Sequence, residues 1–356
     1  MEQLRVGIVG CGEAAQILHL PSLHQLAEKF TVSAVCDVSE IVLESVGDHW
    51  QVPKRFRDYQ ELIAQPDVDV VLVANPNAFH ADVTLAAVEA GKHVLVEKPM
   101  CITLREADAI IEARRKAGVI VQVGYMRRYA PAFIRASQLV QAMNAIRLAR
   151  VHDVLGRNAL MIEPTTRVIR GADIPKAALD EAAALQDRLI VEAIGDAPAV
   201  LRRAYGLMLG LSSHDLSAMR ELLGTPRRVL YAAQRQGGMY LSAAFDYGDY
   251  VCQYETGIDN IARFDASLEV YGADQVVRVD YDTPYIRNLP IRLVVTRADG
   301  HGVTTQADHP GWGDAFVSEW EALYDNIRHS RGPQTSPEDF RQDLELFRDM
   351  ISLMEP

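Results

Sequence analysis

Several things are scarce in this sequence, and each scarcity removes a class of protein. There are four cysteines, Cys11, Cys36, Cys101 and Cys252, and no two form a CxxC pair. Reduced thiols in a cytoplasmic protein are therefore expected. Positive charge is not in excess: 36 lysines and arginines stand against 48 acidic residues, a formal net charge of −12. Phosphate backbones call for a basic footprint, so no nucleic-acid partner is expected. No apolar run is long enough to span a bilayer, and the first strand pattern starts too near the N-terminus to leave room for a signal peptide, so no membrane association is expected. HExxH does not occur, and His19 and His24 lack the i, i+4 spacing of a metal-binding helix face, so no metal is expected. Internal repeats and low-complexity tracts are absent too.

What remains is a chain of 356 residues, 49% hydrophobic and 24% charged, enough for two domains with buried cores. It opens on Leu4-Arg5-Val6-Gly7-Ile8-Val9-Gly10-Cys11-Gly12-Glu13-Ala14-Ala15. An apolar strand pattern ends there in G-x-G-x-x-A, and a helical pattern follows at once. Gly10 permits the tight turn, and Gly12 lets a pyrophosphate approach bare backbone. Ala15 is small enough for close helix–strand packing, and the helix start at Glu13 and Ala14 faces the negative charge. A second strand pattern, Val32-Ser33-Ala34-Val35-Cys36, ends in Asp37, at the spacing of a ribose-binding acid. Its carboxylate would take the adenosine ribose hydroxyls and repel a 2′-phosphate, which favours NAD over NADP.

Strand and helix patterns alternate up to about residue 124. Helical patterns near 41–50, 59–64, 78–90 and 103–117 separate apolar runs at 69–74, 93–96 and 119–123. Thr103-x-x-Glu106 is a capping box, and Gly118 suits a C-cap. This order predicts an α/β domain, a doubly wound parallel sheet with ligand at the C-terminal ends of its strands. After Gly124 the texture changes. A helix is expected over 129–143, a strand over 147–155, and helices or a lid over 159–205. Strand follows strand from 227 to 306, with turns at 246–249, 271–274 and 298–301. Two helices finish the chain, the last capped by Ser336 with Pro337 at its first position. The expected division is a Rossmann domain over 1–124 and an α+β domain with a mostly antiparallel open sheet over 125–356.

Three further stretches carry a family resemblance: Ala74-Asn75-Pro76-Asn77-Ala78-Phe79-His80, Glu97-Lys98-Pro99 after a strand pattern, and Gln122-Val123-Gly124-Tyr125-Met126-Arg127-Arg128-Tyr129. With them the chain resembles the glucose–fructose oxidoreductase, inositol dehydrogenase and rhizopine-catabolism family of NAD(P)-dependent oxidoreductases, closely over the first 135 residues and more loosely beyond. The resemblance implies NAD binding by Gly10, Gly12, Glu13, Ala14, Asp37, Asn75, Asn77, His80, Glu97 and Lys98. It implies a substrate site drawing on Tyr125, Arg127, Arg128, His152, Asp153 and His214, a sugar, cyclitol or sugar derivative as substrate, and a homodimer or homotetramer.

Lys98 has a physical reading of its own. It ends a parallel strand, where ligands bind, and Pro99 disfavours helix at that residue. Beside an oxidised, positively charged nicotinamide its ammonium would be destabilised, leaving it able to exchange a proton with a substrate hydroxyl. The family assigns Lys98 that role and adds a histidine, here His214, whose titration range suits proton transfer. The family's aspartate four residues before the histidine is Gly210 in this chain, and an acid often found three residues after it is Ser217. Ser213-His214-Asp215 is not a catalytic triad, since adjacent helical residues point in different directions. The expectation is a dehydrogenase acting on a CH–OH group. The missing carboxylate keeps two alternatives open: an NAD-retaining lyase or hydrolase of glycosides, and a non-catalytic sensor of NAD or sugar.

Overall fold

The computed structural model describes residues 3–298 and 300–356. The chain forms two compact units, neither continuous in sequence. The first holds the residues up to Tyr125, Thr166–Gly195 and Phe316–Leu344; the second holds Met126–Thr165, Asp196–Ala315 and Glu345–Pro356. The chain leaves the first unit after Tyr125 and then returns to it twice.

The first unit is built on six parallel strands: β1 (Leu4–Val9), β2 (Phe30–Cys36), β3 (Lys54–Phe56), β4 (Val70–Val73), β5 (His93–Glu97) and β6 (Val121–Gly124). Their order is β3-β2-β1-β4-β5-β6. The winding direction reverses between β1 and β4, which opens a crevice at the C-terminal ends of those two strands. Every residue of β4 is buried, as expected for a strand covered on both faces. Helix Leu104–Ala117 starts at the Thr103–Glu106 capping box and ends on Gly118 at φ 71°, a left-handed cap that glycine adopts without strain. The late helix Ala315–Arg328 returns Trp320, Leu323 and Tyr324 to the core around Val6, Ile8, Val70 and Leu72. Residues 159–205 contain the expected helices: Ala159–Ile162, Lys176–Ile194 and Ala199–Leu207. The long one belongs to the first unit, where it lies against the turn Asn77–Phe79 and Arg105 meets Glu192 at 2.7 Å.

The second unit carries β7 (Ile146–Gly156), β8 (Arg228–Arg235), β9 (Tyr240–Asp246), β10 (Val251–Asp259), β11 (Phe264–Gly272), β12 (Gln275–Tyr281), β13 (Arg292–Ala298) and β14 (Val303–Asp308). The order is β14-β13-β12-β11-β7-β10-β9-β8, antiparallel except where β7 runs parallel to β10. Burial alternates along β9, so one face of the sheet is covered and the other is not. Helices Pro131–Gln141 and Ser213–Leu223 lie on the covered face, against β12 and β13 and against β7. At the 246–249 turn the Gly248 amide donates to Asp246 Oδ1 at 2.7 Å, with Gly248 at φ 88°. In the expected turn at 298–301, Asp299 lies outside the described residues; β13 and β14 on either side of it are paired. Among the described residues no helix is long and apolar enough to cross a membrane.

Candidate active site

The first unit gathers its polar groups at the crevice edge. Gly10 sits at φ 93°, and a Cβ there would lie 2.5 Å from the Ala74 carbonyl oxygen, so only glycine lets the turn after β1 nest on the end of β4. A Cβ at Gly12 would meet nothing within 4 Å, which leaves bare backbone facing open space. The helix begins at Glu13 and widens into a π-helical turn over Ala15–His19, with Ala15 wholly buried. Asp37 is gripped from two sides: Oδ2 accepts from the Cys11 amide and Oδ1 from the Ser39 amide, both at 2.9 Å. Each oxygen keeps a further lone pair for a ribose hydroxyl.

Asn75 and His80 come from the loop after β4. His80 is buried; its Nε2 lies 2.7 Å from the Asn75 carbonyl and its Nδ1 2.8 Å from the Pro99 carbonyl. Burial pushes this imidazole below its usual range although both carbonyls pull the other way. The ring thereby ties the β4 loop to the residue that follows Lys98. Asn75 Oδ1 is buried and none of the described residues donates to it, and Asn77 opens the short turn Asn77–Phe79.

Glu97 ends β5 and Lys98 follows it, half-buried, across a cis peptide bond to Pro99. One Glu97 oxygen takes the Lys98 amide at 3.1 Å and the other meets His19 Nε2 at 2.8 Å. Trp320 Nε1 donates to His19 Nδ1 at 3.1 Å, and that assigns the ring proton to Nε2, which donates to Glu97. Burial works to raise the Glu97 carboxyl, but the His19 hydrogen bond and the neighbouring Lys98 charge outweigh it and hold the group below the usual carboxylate range.

In the second unit, His214 is the second residue of helix Ser213–Leu223 and is half-buried. A π-helical turn, Met208–Ser212, precedes it and contains Gly210, where a Cβ would meet nothing within 4 Å. Asp215 does not orient His214. It pairs with the Arg127 guanidinium, which also meets Asp153 at 3.0 Å and lies 4.8 Å from the Tyr281 ring centre. Arg127, Asp153 and Asp215 are all at most 4% exposed. Burial opposes the Arg127 charge, yet the two carboxylates more than restore it. Burial and then the Asp153 charge push the Asp215 carboxyl well above its usual range, even against Arg127. Arg128 bonds Ser217 Oγ at 3.0 Å and pairs with Glu221. Both arginines thus bond groups of their own unit. His152 stands on the sheet between Glu255 (3.0 Å) and Asp265 (3.3 Å). Tyr125, in the first unit, donates its hydroxyl to Asp343 at 2.8 Å.

The structure therefore brings Gly10, Gly12, Asp37, Asn75, His80, Glu97 and Lys98 to the ends of neighbouring parallel strands, and it binds Arg127, Asp153 and Asp215 into one buried cluster. It adds His19 and Trp320 to the surroundings of Glu97. No local pattern signals that contact, since Trp320 stands 301 residues from His19.

A profile described as the oxidoreductase family with an NAD-binding Rossmann fold matches residues 4–125. Over those residues the chain is similar to this family. It is 24% identical to the myo-inositol 2-dehydrogenase of Thermotoga maritima over 355 residues, 96% of this chain and 93% of that one. It is 36% identical to the inositol 2-dehydrogenase of Salmonella typhimurium over 141 residues, 39% of this chain and 42% of the relative. Among solved structures it is similar to aldose-aldose oxidoreductase from Caulobacter crescentus complexed with glycerol, with a TM-score of 0.75 at 20% identity, covering 99% and 97% of the two chains. The fold is that of these oxidoreductases, and the enzyme class is an NAD-binding oxidoreductase acting on CH–OH groups.

Proposed function

We propose that the protein is an NAD-linked dehydrogenase of a polyhydroxylated substrate, a sugar, a cyclitol or a derivative of one. The observation that carries this is the strand-end edge of the first unit, where open backbone at Gly12, a doubly held Asp37 carboxylate and a lysine past β5 coincide. The names of the inositol dehydrogenases it resembles supply the substrate class.

The residues present fit a dinucleotide. Gly12 and the helix start at Glu13 and Ala14 would take the pyrophosphate, Asp37 the adenosine ribose, and Asn75 Oδ1 offers an acceptor that the described residues leave unused. A bound NAD would supply the acceptor for the carbinol hydrogen, taken as hydride. Lys98 removes the hydroxyl proton, so the two hydrogens of the alcohol leave in different directions. Glu97, fixed by His19, holds the backbone at Lys98 through its amide. His214 assists by hydrogen-bonding the reacting oxygen. Arg127 and Arg128 support the second unit from within.

Purified protein incubated with NAD and a panel of sugars and cyclitols tests the proposal. Net NADH formation is the expected result. Product without net NADH would favour a redox-assisted lyase or hydrolase instead, and binding without turnover would favour a sensor.

Cofactor choice gives a second test. Asp37→Ala should narrow the preference for NAD over NADP by roughly 1–3 kcal/mol, the cost of losing a charged hydrogen bond. Titration of both cofactors measures it, and a wild-type protein that prefers NADP would contradict the role given to Asp37.

A further inference from the structure

Residues 166–173 run along the dinucleotide corner of the first unit as a strap. Gln16, on the helix after the glycine turn, pairs with Ile169 in both directions: its Nε2 donates to the carbonyl and its Oε1 accepts from the amide, each at 2.9 Å. Arg170 meets Glu13 at 2.9 Å. Gly171 lies so close that a Cβ there would stand 2.6 Å from Ser39 Oγ. The strap ends with the Asp173 carboxylate on the N-terminus of helix Glu40–His49. Ser39 Oγ donates to Oδ1, and the amides of Glu40 and Ile41 donate to Oδ2 at 2.8 and 3.3 Å. Ser39 itself caps that helix by accepting from the Val42 amide, and its own amide holds Asp37.

A 2′-phosphate would hang from the ribose hydroxyl nearest this corner. Beyond Asp37 it would turn to the Ser39 hydroxyl and the Glu40 and Ile41 amides, because a helix N-terminus favours an anion. Arg57 reaches the same corner, with a guanidinium nitrogen 2.9 Å from the Val38 carbonyl. The amides and the hydroxyl are already taken by an anion from the protein's own chain. Ser39 first, with those amides, holds the Asp173 carboxyl below its usual range, so it is charged at neutral pH.

We propose that Asp173 is a second determinant of cofactor choice, standing in for the 2′-phosphate that NADP would bring and excluding it by occupancy and by charge. This rests on the NAD preference proposed above and extends it. Asp37 reads the ribose hydroxyls, whereas Asp173 closes the place to which a phosphate would otherwise go.

Equilibrium binding of NAD and of NADP, measured calorimetrically at fixed salt, tests this without recourse to turnover. Asp173→Asn keeps the size, removes the charge and keeps one acceptor oxygen for the Glu40 and Ile41 amides, its NH2 facing the Ser39 hydroxyl, which can accept. It should tighten NADP by roughly tenfold, the scale of relieving a close like-charge contact, and leave NAD within about twofold. Asp173→Ala should tighten NADP at least as much. Arg170→Ala cuts another tie of the strap without touching the helix N-terminus and should leave the NAD:NADP ratio unchanged. Unaltered NADP affinity in Asp173→Asn would overturn the inference. So would equal changes for both cofactors, or a ratio shifted as far by Arg170→Ala, since the strap would then be structural. Wild type binding NADP as tightly as NAD would instead overturn the cofactor reading itself, and this extension with it.

Discussion

Lys98→Ala is expected to lose turnover by about 100- to 10,000-fold, the usual contribution of a positioned acid–base group, while still binding NAD. Binding should survive because the proposed grips on the dinucleotide, Gly10 to Ala14 and Asp37, lie on β1, β2 and the turn between β1 and its helix, and Lys98 lies beyond β5. His214→Ala should cost less. The carboxylate that relatives place four residues before this histidine is Gly210 here, and the space beside Gly210 is open. Lys98 follows the strand end that carries the dinucleotide edge, so more of the proton traffic is expected to fall on the lysine. Turnover of both variants at saturating NAD decides the matter. If Lys98→Ala keeps most of its activity and His214→Ala does not, the proton passes through the second unit and the assignment is reversed.

The largest stability effect is expected at Arg127. Arg127→Ala would leave Asp153 and Asp215 facing each other in a buried setting without their cation, and breaking a buried pair in this way costs about 3–5 kcal/mol. Against a typical total stability of roughly 5–15 kcal/mol this is a large fraction. Urea unfolding should show a lower midpoint. Adding Asp215→Asn to Arg127→Ala should restore part of the loss, because it removes one of the two carboxyl groups left facing each other. A single variant as stable as wild type would show that the cluster is solvated and adds little.

How much of this was legible in advance depended on distance along the chain. The parallel sheet could be read from short apolar runs alternating with helical stretches, and the capping box at Thr103–Glu106 and the glycine turn at Gly10–Gly12 are local patterns whose geometry follows from residue type. The strand-rich second half was legible for the same reason. The two returns of the chain to the first unit were not, because the Ala, Leu and Glu content of 159–205 points to helices or a lid but says nothing of which unit they join. The two π-helical turns, Ala15–His19 and Met208–Ser212, widen helices without altering their residue pattern. In the site, Asp37 was expected at its place from spacing alone. Asp173 was not, since its partners lie more than 130 residues earlier. In sequence Asp215 stands beside His214, whereas its partner is Arg127, 88 residues away.

The most direct test of the central claim follows the carbinol hydrogen itself. Protein and NAD are incubated with sugars and cyclitols deuterated at their carbinol carbons, and the cofactor is recovered and weighed by mass spectrometry. Direct transfer from a CH–OH carbon predicts that at least one substrate yields reduced cofactor carrying the deuterium, with the matching ketone or lactone formed in equal amount. Cofactor that binds yet stays oxidised across the whole panel, or product that accumulates with no net reduced cofactor, would contradict it.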